Sequence, residues 1–364
     1  MLLLPDGSVM AQINGTSTDW ARLSPDSTGS YINGTWTRLA PMHNTRLYGA
    51  SQILPNGNVF IAGAEYGTGG ATGEIYNPTT NSWAQLPPQS FGNLLDSSSE
   101  MLPNGQILIA PVAPQGASNT ILFDPSTNTW SAGPKLYRGN NADEQSWVKL
   151  ADGSILTIDS PSTSERFIPS SNKWVNDASV PVSLWDSIGE IGAGVLLADG
   201  RAFYIGASGH TALYTPSGTN AAGSWAKGPD VPSGGGAPDA PAAVLPDGTV
   251  LCAMGTPGTY NGPTKLYLYD PAANSFSAVS GAPSIASGPY VTRMLDLPDG
   301  SVLFTTGGAQ PYVYNAGTTP LSAPRPTISG VQLNSDGTYQ LSGTQFNGDS
   351  EGAYYGDDAQ MNSN

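Results

Sequence analysis

Apolar residues come in short runs separated by Gly, Pro, Asn and Asp. One example is Ala50-Ser51-Gln52-Ile53-Leu54, then Pro55-Asn56-Gly57, then Asn58-Val59-Phe60-Ile61-Ala62. Runs of that length, bounded by turn formers, predict β-strands joined by hairpins. The same turn returns along the chain. Its glycines are Gly7, Gly57, Gly105, Gly153, Gly200, Gly248 and Gly300, at gaps of 50, 48, 48, 47, 48 and 52 residues. Each follows Asp or Asn, itself preceded by Pro or Ala. Asp-Gly and Asn-Gly accept the positive φ that a tight connection requires.

Two further markers keep that phase. A third strand ends in Tyr76-Asn77-Pro78, Phe123-Asp124-Pro125, Phe167-Ile168-Pro169, Tyr214-Thr215-Pro216, Tyr269-Asp270-Pro271 and Tyr314-Asn315. A fourth carries Trp36, Trp83, Trp130, Trp174, Trp225 or Phe276. Four strands in about 50 residues make a propeller blade. The chain is therefore expected to be all-β, a seven-bladed propeller of four-stranded blades over residues 1–325. The unit resembles the kelch family: strand, Asp-Gly, strand ending in Gly-Gly, Tyr-Asp-Pro, then Trp. The doublet is intact at Gly307-Gly308 and reduced to Ala62-Gly63 in the second unit. The resemblance implies that the strand before Asp-Gly is innermost and the Trp strand outermost. Small residues suit the crowded axis, and Gly49-Ala50-Ser51, Ser97-Ser98-Ser99 and Gly192-Ala193-Gly194 stand there.

The last unit has no Trp strand between Asn315 and Pro324. Its blade is expected to have three strands, or to take its fourth from upstream of Met1, in which case the sequence is a fragment. In residues 326–364, Thr327-Ile328-Ser329-Gly330-Val331 and Tyr339-Gln340-Leu341-Ser342-Gly343 resemble the first strands of the immunoglobulin-like domain that follows propellers of the galactose oxidase type.

Composition narrows the function classes. Of 364 residues only 11% are charged, and 13 Lys and Arg against 28 Asp and Glu leave a net charge of −15. Such a surface repels a phosphate backbone, so nucleic acid is not an expected partner. No apolar run is long enough to span a bilayer, and no signal peptide is visible. The single cysteine, Cys252, allows no intramolecular disulfide and is expected to be a buried structural thiol. Abundant Ser, Thr, Asn and Gly suit an exported bacterial protein, placed outside the cell or on its surface.

Loops on a rigid scaffold carry function, and a propeller gathers them at the mouth of its central channel. Alignment on the turns places Tyr48, Asp96, Glu144, Ile191, Asp239 and Val291 at one position, and Leu47, Leu95, Asp143, Glu190, Pro238 and Tyr290 just before it. Carboxylates thus recur at the expected mouth in Asp96, Asp143, Glu144, Glu190 and Asp239, with Arg46 and Arg293 at similar depth. Such a ring suits sugar hydroxyls or a cation, with Ca²⁺ as the candidate ion there or in the acidic 349–358 loop. Trp185 is the candidate stacking residue.

Arg46-Leu47-Tyr48 also resembles the copper-radical oxidases, galactose and glyoxal oxidases, in the strand that carries their cross-linked tyrosine. Their Tyr-His copper pair corresponds here to Tyr290-Val291, so a functional copper oxidase is not expected. The expected function is a binding module for a glycan or a protein surface, without a cofactor. One alternative is a lyase or epimerase pairing His210 or His43 with Tyr48 or Tyr290, with Arg46 or Arg293 neutralising a uronate. Another is a structural surface or filament subunit.

Overall fold

Each Asp-Gly or Asn-Gly turn closes in one way. The glycine is left-handed in all seven, with φ between 77° and 84°. Its N–H donates to the carbonyl three residues back (Gly57 N to Leu54 O, 2.8 Å), and the Leu54 N–H donates to Asn58 O at 2.8 Å. The positive φ falls on glycine alone. The preceding Asp or Asn instead accepts the N–H two residues on, as Asp299 Oδ1 does from Ser301 at 3.0 Å. It is a side-chain cap on a turn with one extra, left-handed residue.

The computed structural model describes residues 1–112, 119–139, 142, 145–319, 321, 327–335, 337 and 339–344. The turns join the inner strands of seven antiparallel sheets, six of four strands and one of three. The second blade runs from Ala50–Ile53 through Val59–Ala62 and Gly73–Asn77 to Ser82–Gln85. The sixth runs from Ala242–Val244 through Val250–Met254 and Lys265–Asp270 to Ser275–Ala278. Among the described residues the seventh has Arg293–Asp296, Val302–Thr305 and Tyr312–Tyr314. The first and last blades meet in one core, where Leu295, Leu297 and Val302 join Val9, Leu23 and Tyr31.

Small inner-strand residues let neighbouring blades bond directly. Gln52 Nε2 donates to Ser99 O at 2.9 Å, Ser98 Oγ to Gln145 O at 2.7 Å, and Gly194 N to Ser146 Oγ at 2.7 Å. Cys252 is buried and free, and burial raises its thiol pKa. No helix among the described residues is long and apolar enough to cross a membrane. At the C-terminal end Thr327–Leu333 and Tyr339–Thr344 pair as a hairpin. No sheet packs it into an immunoglobulin-like sandwich among the described residues.

The outer-strand aromatics fill the wedges between blades. Trp83 lies 5.0 Å from Tyr76 of its own blade and 5.9 Å from Trp20 of the first. Its Nε1 donates to Ala40 O at 2.8 Å, and Trp130 Nε1 donates to Pro87 O at 3.1 Å. Trp147 is fully buried, 5.3 Å from Trp174. Trp36 is the exception at 41% exposed. It stands in the first blade, beside the seventh, where three strands are found among the described residues. Trp83→Ala is thus expected to cost about 3–5 kcal/mol, and Trp36→Ala about 1 kcal/mol or less. Urea unfolding of the two variants compares them, and equal losses would contradict this packing.

Candidate functional site

An inner strand runs from one end of the ring to its Gly turn, and the second strand returns. Loops between second and third strands therefore gather with the interblade connections at a single end. Among the described residues, three that lead into inner strands there are left-handed without being glycine: Tyr48 (φ 55°), Asp96 (φ 39°) and Asp239 (φ 46°). They hold the same place in the repeat, so the phase seen in the sequence marks a recurring backbone kink. A kink of this kind costs about 1–3 kcal/mol and persists only where its surroundings enforce it.

A series of side-chain contacts starts from the first of these kinks. Arg46–Leu47 pairs with Tyr66–Gly67 in a small extra ribbon, which sets Tyr48 and Tyr66 edge to face at 6.1 Å. The Arg293 guanidinium lies 5.7 Å from the Tyr48 ring centroid. Arg293 belongs to the seventh blade and Tyr48 to the second. Blades separated by a third meet this closely only near the axis.

Arg293 Nη1 also donates to Tyr290 O at 2.6 Å and Thr292 O at 2.8 Å. Tyr290, in a single helical turn at Pro289–Val291, meets Tyr260 edge to face at 5.4 Å. The Tyr260 hydroxyl donates to Glu190 Oε1. A series of contacts thus runs Glu190, Tyr260, Tyr290, Arg293, Tyr48, Tyr66. Gly288 permits the Tyr260–Tyr290 approach, since a Cβ there would lie 2.0 Å from Tyr260 O.

Charge collects along the same line. A hydrogen bond to Glu65 and then that carboxylate's charge hold the Tyr66 hydroxyl above its usual pKa, with Asp96 and Tyr290 adding to the effect. Glu190 is 4% exposed, and its Oε2 is buried with no hydrogen-bond partner among the described residues. Asp239 is 7% exposed, and its N–H donates to Ile191 O at 3.0 Å.

Other candidates sit elsewhere or play other parts. Asp143 and Glu144 lie outside the described residues, as does the 349–358 loop. Trp185 is half-buried against the core that holds Leu184 and Tyr204, and its Nε1 is buried without a hydrogen-bond partner among the described residues. Arg46 is 1% exposed and donates to Gly63 O, Gly69 O, Thr72 O and Glu74 at 2.7–3.1 Å, so its charge is spent on holding the loop. His43 Nδ1 pairs with Glu74 at 2.7 Å, and His210 Nδ1 with Asp230 at 2.8 Å. Neither histidine hydrogen-bonds a tyrosine, so the elimination pair is not assembled among the described residues. No three His, Cys, Asp or Glu side chains converge as a metal cluster among them. The oxidase copper set does not fit this chain either: valine stands at position 291, and both histidines are bound to carboxylates elsewhere.

Sequence reasoning missed Tyr66 and Tyr260. A signal existed: residues 63–72 and 255–264 link second to third strands in the second and sixth blades, where the fourth needs only 161–162. Each long loop carries an aromatic. No protein-family model and no curated protein sequence matches the chain. Among solved structures, a fungal alcohol oxidase of the AA5 family, solved in complex with copper, aligns with a TM-score of 0.46 and 17% identity over 91% of this chain and 65% of its own. The structure of YjhT, a kelch-type propeller, aligns with a TM-score of 0.52 and 15% identity, covering 76% of this chain and 95% of its own. The protein is a seven-bladed β-propeller sharing its fold with YjhT.

Proposed function

We propose that this propeller is an exported binding module that holds a glycan at its channel mouth. The observation carrying the reading is the linked series from Glu190 to Tyr66. A sugar ring has apolar C–H faces that lie against aromatic rings, and hydroxyls that donate to carboxylates. Tyrosine adds contact area with few rotatable bonds, so little entropy is lost on binding. Tyr66 and Tyr260 remain 51% and 47% exposed, leaving ring surface for a ligand. The low charge of the chain, 11%, and its Ser, Thr and Asn content support an extracellular or cell-surface place. A protein ligand at the same mouth would be met by the same rings.

Titration calorimetry against a panel of oligosaccharides tests the proposal. Tyr48→Ala and Tyr260→Ala are each expected to weaken a bound glycan about tenfold, near 1.4 kcal/mol, with the unfolding midpoint little changed. Full affinity in both variants, or no binding to any glycan, would overturn it.

A further inference from the structure

We infer that the sugar held at the mouth carries a protonated amine, and that Glu190 is the residue that reads it. The inference rests on the glycan-binding proposal and adds the chemical class of the ligand.

It begins with an unbalanced charge. Glu190 is 4% exposed; Tyr260 occupies Oε1, and Oε2 has no partner among the described residues. Asp186 is nearby on the same loop and accepts from the backbone N–H of Glu190 at 3.2 Å, Ile188 at 2.9 Å and Gly258 at 2.7 Å. These bonds hold the loop but bring no positive side chain. No Lys or Arg forms a salt bridge with Glu190 or Asp186 among the described residues. A buried acceptor without a donor is costly, and more so when it is charged. A neutral hydroxyl would supply a hydrogen bond and leave the charge. An ammonium group supplies both the donor and the opposite charge.

The surroundings favour the same ligand. Tyr260 and Tyr290 meet beside Glu190, and aromatic faces attract cations. Arg293 lies over the Tyr48 ring and donates to the carbonyls of Tyr290 and Thr292. The net charge of −15 draws cations to the whole molecule. A divalent metal is disfavoured, because no third acidic or imidazole group joins Glu190 among the described residues.

The probes are a tetramer of β-1,4-linked glucosamine and its fully N-acetylated counterpart, which differ in charge at one position per ring. Calorimetry on the intact chain is expected to show the amine form binding at least about tenfold more tightly. Glu190→Gln should bring the two within about twofold while the acetylated form still binds. Non-specific attraction to an acidic protein would survive that change, since one charge of many is removed. A pH titration of the unaltered protein needs no variant: the preference should vanish above the pKa of the amine. Equal binding of both tetramers, or a preference that persists in Glu190→Gln, would overturn the amine assignment and leave the glycan reading standing. Binding of neither would overturn the amine assignment, while the oligosaccharide panel decides the glycan reading.

Discussion

Arg166→Ala is expected to destabilise the propeller by about 3–5 kcal/mol, as breaking a fully buried ion pair does. Arg166 lies in the third strand of the fourth blade, Thr163–Ile168, with its side chain wholly inaccessible. Its Nε donates to Asp177 at 3.0 Å, Nη1 to Ser154 at 3.2 Å, and Nη2 to the carbonyls of Thr219 (3.1 Å) and Ala221 (2.7 Å) of the fifth blade. Asp177 also accepts from Tyr214 OH at 3.0 Å and Gly223 N at 2.9 Å. Truncation would strand that carboxylate in the interior and untie two blades at once. Urea unfolding measures the loss. Arg166→Met combined with Asp177→Asn should lose less than the sum of the single changes, because neither charge then stays buried alone. A single-variant loss under about 1 kcal/mol would show that the fifth blade is held by other means.

Glu165→Gln is expected to gain stability over the unaltered protein as pH rises. Glu165 is fully buried, with Tyr137 N donating to Oε2 at 2.5 Å and Oε1 unpartnered among the described residues. Burial first, and then the charge of Asp159, raise its pKa from 4.5 to about 7, although Arg138 acts in the other direction. The folded-state value is the higher one. The unfolded chain therefore loses its proton first as pH rises, and the stability present below pH 4.5 is lost on passing through pH 7. The glutamine variant mimics the protonated acid and does not titrate. Between about pH 5 and about pH 8 it should gain about 2.5 kcal/mol on the parent. Chemical unfolding at both values reads the difference, and a constant gap would place the carboxyl in its ordinary range.

The repeat was legible because each marker does a local job. Gly57 and its six counterparts stand where the backbone must be left-handed, and only glycine does that cheaply. The Trp positions were legible for a related reason, since every wedge between blades needs a large side chain. Trp36 shows where that logic ends: its text matches the other outer strands, yet it is 41% exposed beside a blade in which three strands are described. An acidic ring was the expected mouth. The recurring position is a kink shared by Tyr48, Asp96 and Asp239, and two tyrosine pairs, Tyr48–Tyr66 and Tyr260–Tyr290, meet edge to face. Arg46 had looked like a ligand-binding charge. Its burial beside Glu74 could not be seen, because both partners reach each other through a loop whose path no local pattern records.

The sequence alone determined the blade number, the strand order and the turns, since all three follow from short-range periodicity and backbone sterics. Only the tertiary structure decided which side chains meet at the mouth. Arg293 touches Tyr48 from 245 positions further along the chain, and Tyr260 reaches Glu190 across 70. Contacts of that kind arise from closing a ring, and the closing geometry belongs to all the blades together.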